Sequence, residues 1–134
     1  DVVEHIEHDL AFLVKARGAL REGGLLAITV PAFQFLWSIH DINHHHFRRH
    51  TKISMHDVLN QAGFSVEYAS YWNMTLFVPA AIIRLVFGKS GESTLSLSRW
   101  LNLAFFAVVK AESFLMRWFS LPFGTGLVVV ARKK

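Results

Sequence analysis

Residues 20–31 read LREGGLLAITVP, and within them Leu25–Val30 is an apolar run of strand length, stopped by Pro31. An unbroken apolar run, as opposed to alternation, predicts a strand covered on both faces of a parallel sheet. Upstream, a helix is expected from His8 or Asp9, with Asp9 capping its start or countering the dipole. Leu10, Leu13, Val14 and Leu20 mark its apolar face, and Gly23-Gly24 ends it. Before it, Asp1–His5 reads as the last residues of a strand and the turn that follows.

Downstream of the strand, Pro31–Thr51 reads PAFQFLWSIHDINHHHFRRHT and packs five histidines, an aspartate and two arginines beside Phe33, Phe35 and Trp37. Loops at the ends of buried strands are where scaffolded chemistry usually sits. The next helix is signalled by Ser54-Met55-His56-Asp57, a capping-box pattern, with Met55, Val58, Leu59 and Ala62 as its buried stripe and Gly63 at its end. Alternation from Phe64 to Tyr71 predicts another strand, and Gly126–Ala131 a last one. Strand end, helix, strand, helix, strand is the second half of a doubly wound α/β sheet.

Residues 76–121 interrupt that order with very apolar helices on either side of a Gly/Ser segment at 88–93, read as an insertion loop. A membrane-spanning helix needs about 20 nearly uncharged residues; Arg84, Lys110, Glu112 and Arg117 break every window, so no span is expected. Wound at about 100° per residue, the second helix (Arg99 to Phe119) gathers Arg99, Asn102, Lys110, Ser113 and Arg117 into one polar strip. Glu112 falls outside it, on an apolar flank, where a carboxylate must find a partner or stay protonated. Such a helix is either packed into protein or lies in a membrane interface.

The chain of 134 residues, 52% apolar and 18% charged, is long and apolar enough for one core and is not a disordered segment. It has no cysteine, which excludes disulfides, thiolate metal sites and thiol nucleophiles and is compatible with a cytoplasmic location. The formal charge of +4 is clumped at Arg48, Arg49 and Lys52 and at Arg132–Lys134. Those clumps suit phosphates, acidic substrates or an anionic membrane surface, or are ordinary solvated charge. No nucleic-acid-binding signature accompanies them.

From Asp1 to Phe64 the chain resembles class I S-adenosylmethionine-dependent methyltransferases of the small-molecule type that includes quinone-biosynthesis enzymes. DVVEHIEHD is similar to the segment after the fourth strand of that fold, and LREGGLLAITVP to its helix, glycine pair and fifth strand. HDINHHHFRRHT resembles a histidine- and arginine-rich loop of one subgroup, HDVLNQAGFSVEY the next helix and strand, and LPFGTGLVVVARK the last strand, which runs antiparallel to the others. His50 stands where the subgroup tends to have tyrosine, and Glu22 where a proline often precedes the glycines. The resemblance lacks the family's glycine-rich cofactor loop and the acidic residue that holds the ribose. The expectation is therefore that residues 1–134 are the C-terminal portion of one methyltransferase domain, binding S-adenosylmethionine poorly alone.

The resemblance implies methyl transfer to a small-molecule acceptor; the apolar insert and the basic clumps favour a lipid-like one and are compatible with peripheral membrane contact. The alternative is a non-catalytic membrane-binding or interaction module on the same fold. It places Asp1, Glu4 and His5 beside the cofactor, where they either line the pocket or bind a divalent metal as a similar motif does in some relatives. A neutral histidine would take a proton from the acceptor. His40 and His45 match the subgroup's pattern best, with Asp41 orienting one of them or capping a turn. Arg48 and Arg49 suit an anionic substrate group or an ion pair, and Trp37 an apolar pocket or the core. A metal cluster built from the loop histidines is a third reading.

Overall fold

The computed structural model describes residues 1–87 and 99–134. A 3-10 turn at Val3–His5 precedes α1 (Asp9–Ala19) and β1 (Leu25–Pro31). After a second 3-10 turn, Gln34–Leu36, come α2 (Ile39–Asn43), α3 (Lys52–Gln61) and β2 (Phe64–Trp72). The helices α4 (Met74–Phe87) and α5 (Arg99–Leu115) then lead to β3 (Gly126–Lys133). The expected insertion loop at 88–93 lies outside the described residues.

The sheet has the order β1-β3-β2. The last strand slots between the other two and pairs antiparallel with both, Ile28 facing Val129 on one side and Ala69 facing Val129 on the other. β1 and β2 therefore run parallel to each other without touching. The antiparallel last strand is as the resemblance implied. The register of β2 shifts between Val66 and Tyr68, making Glu67 an extra residue whose carboxylate is taken by Arg132 of β3.

The core joins Leu13 of α1, Met55 and Leu59 of α3, Ile28 and Val30 of β1, Phe64 of β2, and Leu127, Val129 and Ala131 of β3. Residues of α3 expected to form its buried stripe do so. β1 differs from its expectation: burial alternates along it, Ile28 and Val30 joining the core while Leu25 is 51% exposed, so one face is covered among the described residues.

Several boundaries also move. Asp1–His5 forms a 3-10 turn and no strand. α1 is preceded by His8 at the cap position and ends at Ala19, before the glycines; Gly23, at φ 70°, makes the turn into β1. Leu10 and Val14 are exposed, Leu13 being the fully buried residue of that face. The cap of α3 is Thr51, whose hydroxyl accepts from Ser54 N–H at 3.2 Å while Ser54 Oγ accepts from Thr51 N–H at 2.9 Å. Thr51-x-x-Ser54 wins over Ser54-x-x-Asp57 because one more turn of helix, Lys52–Ser54, continues the ladder. No described helix is long and apolar enough to cross a membrane.

Candidate active site

The histidine-rich loop is closed at its base where β1 ends. Ala32 and His50 form a parallel bridge, with His50 N–H donating to Pro31 O (3.0 Å) and Phe33 N–H to His50 O (3.1 Å). Phe33 adopts φ 58°, a conformation an L-residue takes only where surroundings hold it. They do: its ring stacks on Tyr71 at 4.7 Å and meets Phe77 of α4 at 5.4 Å. The loop aromatic is thus a pin to β2 and α4.

Inside the loop, Asp41 is the organising group. Its buried carboxylate caps α2 by accepting from Ser38 N–H at 2.8 Å. The same carboxylate receives both Arg49 Nε and Nη2 at 2.9 Å, a forked pair, and His46 Nδ1 at 2.9 Å. Burial alone would push the Asp41 carboxyl up; Arg49 and His46 outweigh it and hold it at about 2. Arg49 also donates to Ala32 O at 3.2 Å, so its guanidinium is committed to the loop.

These groups face a cleft of about 410 Å³. Val30 and Pro31 bring the carboxyl end of β1 to it, Trp72 and Asn73 that of β2, and Thr125 and Gly126 the start of β3. Asp1, Glu4 and His5 line it from the first turn, and His40, His44, His46 and Arg49 from the loop. His40 and His44, one helical turn apart, have ring centres 4.1 Å apart and planes tilted by 48°. Burial, then the neighbouring His44, pushes the His40 imidazole down, which keeps it neutral near pH 7. Three of the residues lining the cleft own a buried polar atom without a hydrogen-bond partner: Glu4 Oε2, Trp72 Nε1 and Asn73 Oδ1. Asn73 has φ 56°, and a Cβ on Gly126 would lie 2.1 Å from Trp72 Nε1, so only glycine lets the indole cross the start of β3.

The sequence expectations divide at this cleft. His40, Asp1, Glu4, His5 and Arg49 line it. His45, an exposed residue at φ 55°, lies outside that lining, because the left-handed turn after α2 sends His46 inward in its place. Asp41 reaches the cleft only through Arg49 and His46. Trp37 is not among the lining residues either. Arg48 leaves the cleft for the start of α1, donating to Asp9 Oδ2 at 2.8 Å and to Glu7 O. Lys52 donates to Ser120 Oγ (2.6 Å) and Leu121 O (2.9 Å). The basic clump is therefore spent within the chain, since each cation has an acceptor in reach.

The metal-ligating atoms that converge are those of Glu4, His5 and His46, within 4.8 Å of one another. This is not the expected trio of Asp1, Glu4 and His5, since the Asp1 carboxylate accepts from the Thr29 hydroxyl at 3.1 Å. Trp72 and Asn73 are cleft-lining residues that sequence reasoning missed, and His46 it counts only among the loop histidines of a metal cluster. Histidines adjacent in a loop look alike in sequence, and Trp72-Asn73 sat at a strand end with no motif to mark it.

Among solved structures the chain is similar to a SAM dependent methyltransferase from Archaeoglobus fulgidus, with a TM-score of 0.52 and 15% identity. The chain shares part of that structure's fold. The match covers 98% of this chain and 56% of that one, so the chain spans about half the length of its structural neighbour. No protein-family model and no curated protein matches the sequence.

Proposed function

We propose that this chain forms the acceptor-facing part of an S-adenosylmethionine-dependent methyltransferase acting on a small or lipid-like molecule. The observation that carries the reading is the cleft at the carboxyl ends of β1 and β2, where open α/β sheets bind ligands, with three polar atoms there unpartnered. A buried polar group without a partner costs about 1–3 kcal/mol, so an acceptor that satisfied Trp72 Nε1 and Asn73 Oδ1 would be held firmly. That the structural neighbour is a SAM dependent methyltransferase supports the same chemistry.

S-adenosylmethionine, when bound, supplies an electrophilic methyl group. The chain's part is to align the acceptor and manage its proton. Neutral His40 takes the proton from an acceptor hydroxyl or amine, a contribution of roughly 10²–10⁴-fold. The Asn73 carboxamide and Trp72 N–H orient the acceptor, and Asp41 positions Arg49 and His46. Asp1, Glu4 and His5 sit on the cofactor side. A divalent cation would be held by Glu4, His5 and His46, a mixed carboxylate and imidazole set that leaves a position open for the acceptor oxygen. With Asp41 on His46 Nδ1, Nε2 is the ligand atom left.

The test is calorimetric titration of S-adenosylmethionine into this chain and into a form extended at its N-terminus to the neighbour's length. Binding by the extended form, with methyl transfer cut at least about a hundredfold in His40→Gln, is expected. No binding by the extended form would overturn the reading.

A further inference from the structure

We infer that α5 and the turn after it dock this protein on an anionic bilayer surface. Three faces are visible on the helix at about 100° per residue. One is turned inward, with Phe105, Val109 and Met116 partly covered and Glu112 buried. A second is the basic strip of Arg99, Lys110 and Arg117 with Asn102 and Ser113, all exposed.

The third is apolar and open to solvent. Trp100 is 80% and Trp118 73% exposed, and Leu103 and Phe114 lie between them on the same side. Phe106, also exposed, sits within the basic strip, with the Lys110 ammonium 5.9 Å from its ring centre. A contiguous apolar stripe bounded by tryptophans and flanked by cations is the profile of a helix lying in the plane of a membrane interface.

The charge pattern selects the occupant. From Asn73 to Lys134 the sequence has two acids, Glu92 and Glu112, and Glu112 is withdrawn from the surface onto the start of α4. Elsewhere Arg48 is paired with Asp9, Arg49 with Asp41, Arg132 with Glu67, and Lys133 with Glu22. Arg99, Lys110 and Arg117 have no carboxylate partner among the described residues. An apolar stripe beside three unpaired cations suits phospholipid headgroups over acyl chains; a second copy would set those cations against their own kind.

Aromatic contacts also join the histidine loop to the segment after α5. Phe77 of α4, which touches Phe33 of the histidine loop, packs on Phe123 beyond α5 at 5.2 Å. If the proposed methyl transfer holds, docking here would bring the site to acceptors dissolved in the bilayer; the docking itself does not depend on it.

The experiment is co-sedimentation of the purified chain with phosphatidylcholine vesicles, with and without phosphatidylglycerol, following tryptophan emission. Binding to the anionic vesicles with a blue shift, weakened by salt, is expected. Arg99→Gln/Lys110→Gln/Arg117→Gln should weaken it on the order of a hundredfold. Trp100→Ser/Trp118→Ser should weaken it at least about tenfold and remove the blue shift. All five side chains are exposed, and unchanged far-UV circular dichroism certifies the fold. No binding to anionic vesicles would overturn the inference, as would concentration-dependent self-association that buries Trp100 and Trp118 without lipid.

Discussion

The Glu112 carboxylate of α5 caps the N-terminus of α4 through Thr75. It accepts from Thr75 N–H at 2.8 Å, from Met74 N–H at 3.0 Å and from the Thr75 hydroxyl. The first N–H groups of a helix have no intrahelical partner and carry its positive dipole end, so one side chain satisfies three donors. Glu112→Leu leaves them unsatisfied and should cost about 1–3 kcal/mol, with faster amide exchange at Met74 and Thr75. Glu112→Gln, still an acceptor, should recover part of the loss. Equal urea midpoints for Leu and Gln would show that the cap contributes nothing.

Asp41 holds the histidine loop in the same way, with Arg49 and His46 as partners. Removing one member of a buried ion pair costs about 3–5 kcal/mol, so Asp41→Asn should lower the denaturation midpoint sharply. The pair also sets an acid limit. The folded Asp41 value, about 2, lies below its usual 3.8, so its stabilisation is complete above about pH 4–5 and fades as pH falls toward 2. An Asp41→Asn stability profile parallel to that of the parent between pH 5 and 2 would contradict this account.

His50 acts at milder pH. Its Nε2 is buried without a hydrogen-bond partner, 3.7 Å from Asp9 Oδ2. Burial pushes its imidazole down more than Asp9 pulls it up. The unfolded chain takes this proton below about pH 6.5 while the folded chain resists it, so stability should fall as pH drops below about 6.5, by up to ~1.4 kcal/mol per pH unit. His50→Gln should flatten that slope. The check is the difference between the two stability profiles, which cancels the other histidines.

Asn73 separates function from stability. Its φ of 56° suits Asn or Gly. Asn73→Gly should change stability by only a few tenths of a kcal/mol, while Asn73→Val should cost about 1–2 kcal/mol. Both lose the unpartnered Oδ1, so both should lower methyl transfer by the extended form. Full transfer in Asn73→Gly would remove Asn73 from the acceptor's contacts.

The order of α1, β1, α3 and β2 was legible in the sequence because the period of apolar residues, 3.6 or 2, and punctuation by Gly63 and Pro31 are local properties of the chain. Met55, Leu59 and Phe64 announce their burial by spacing alone. The polar strip of α5 and the misfit of Glu112 were legible for the same reason. Partners were not, because they lie far along the chain: Glu112 meets Thr75 across 37 positions, Arg48 meets Asp9 across 39, and Asp1 meets Thr29 across 28. Which of the five loop histidines line the cleft was likewise decided in three dimensions, where a left-handed turn at His45 presents His46 to Asp41. Sequence by itself determined the elements and the chemistry available; tertiary structure decided which groups face one another, because hydrogen bonds and ion pairs depend on distances of a few ångströms that spacing along a chain does not encode.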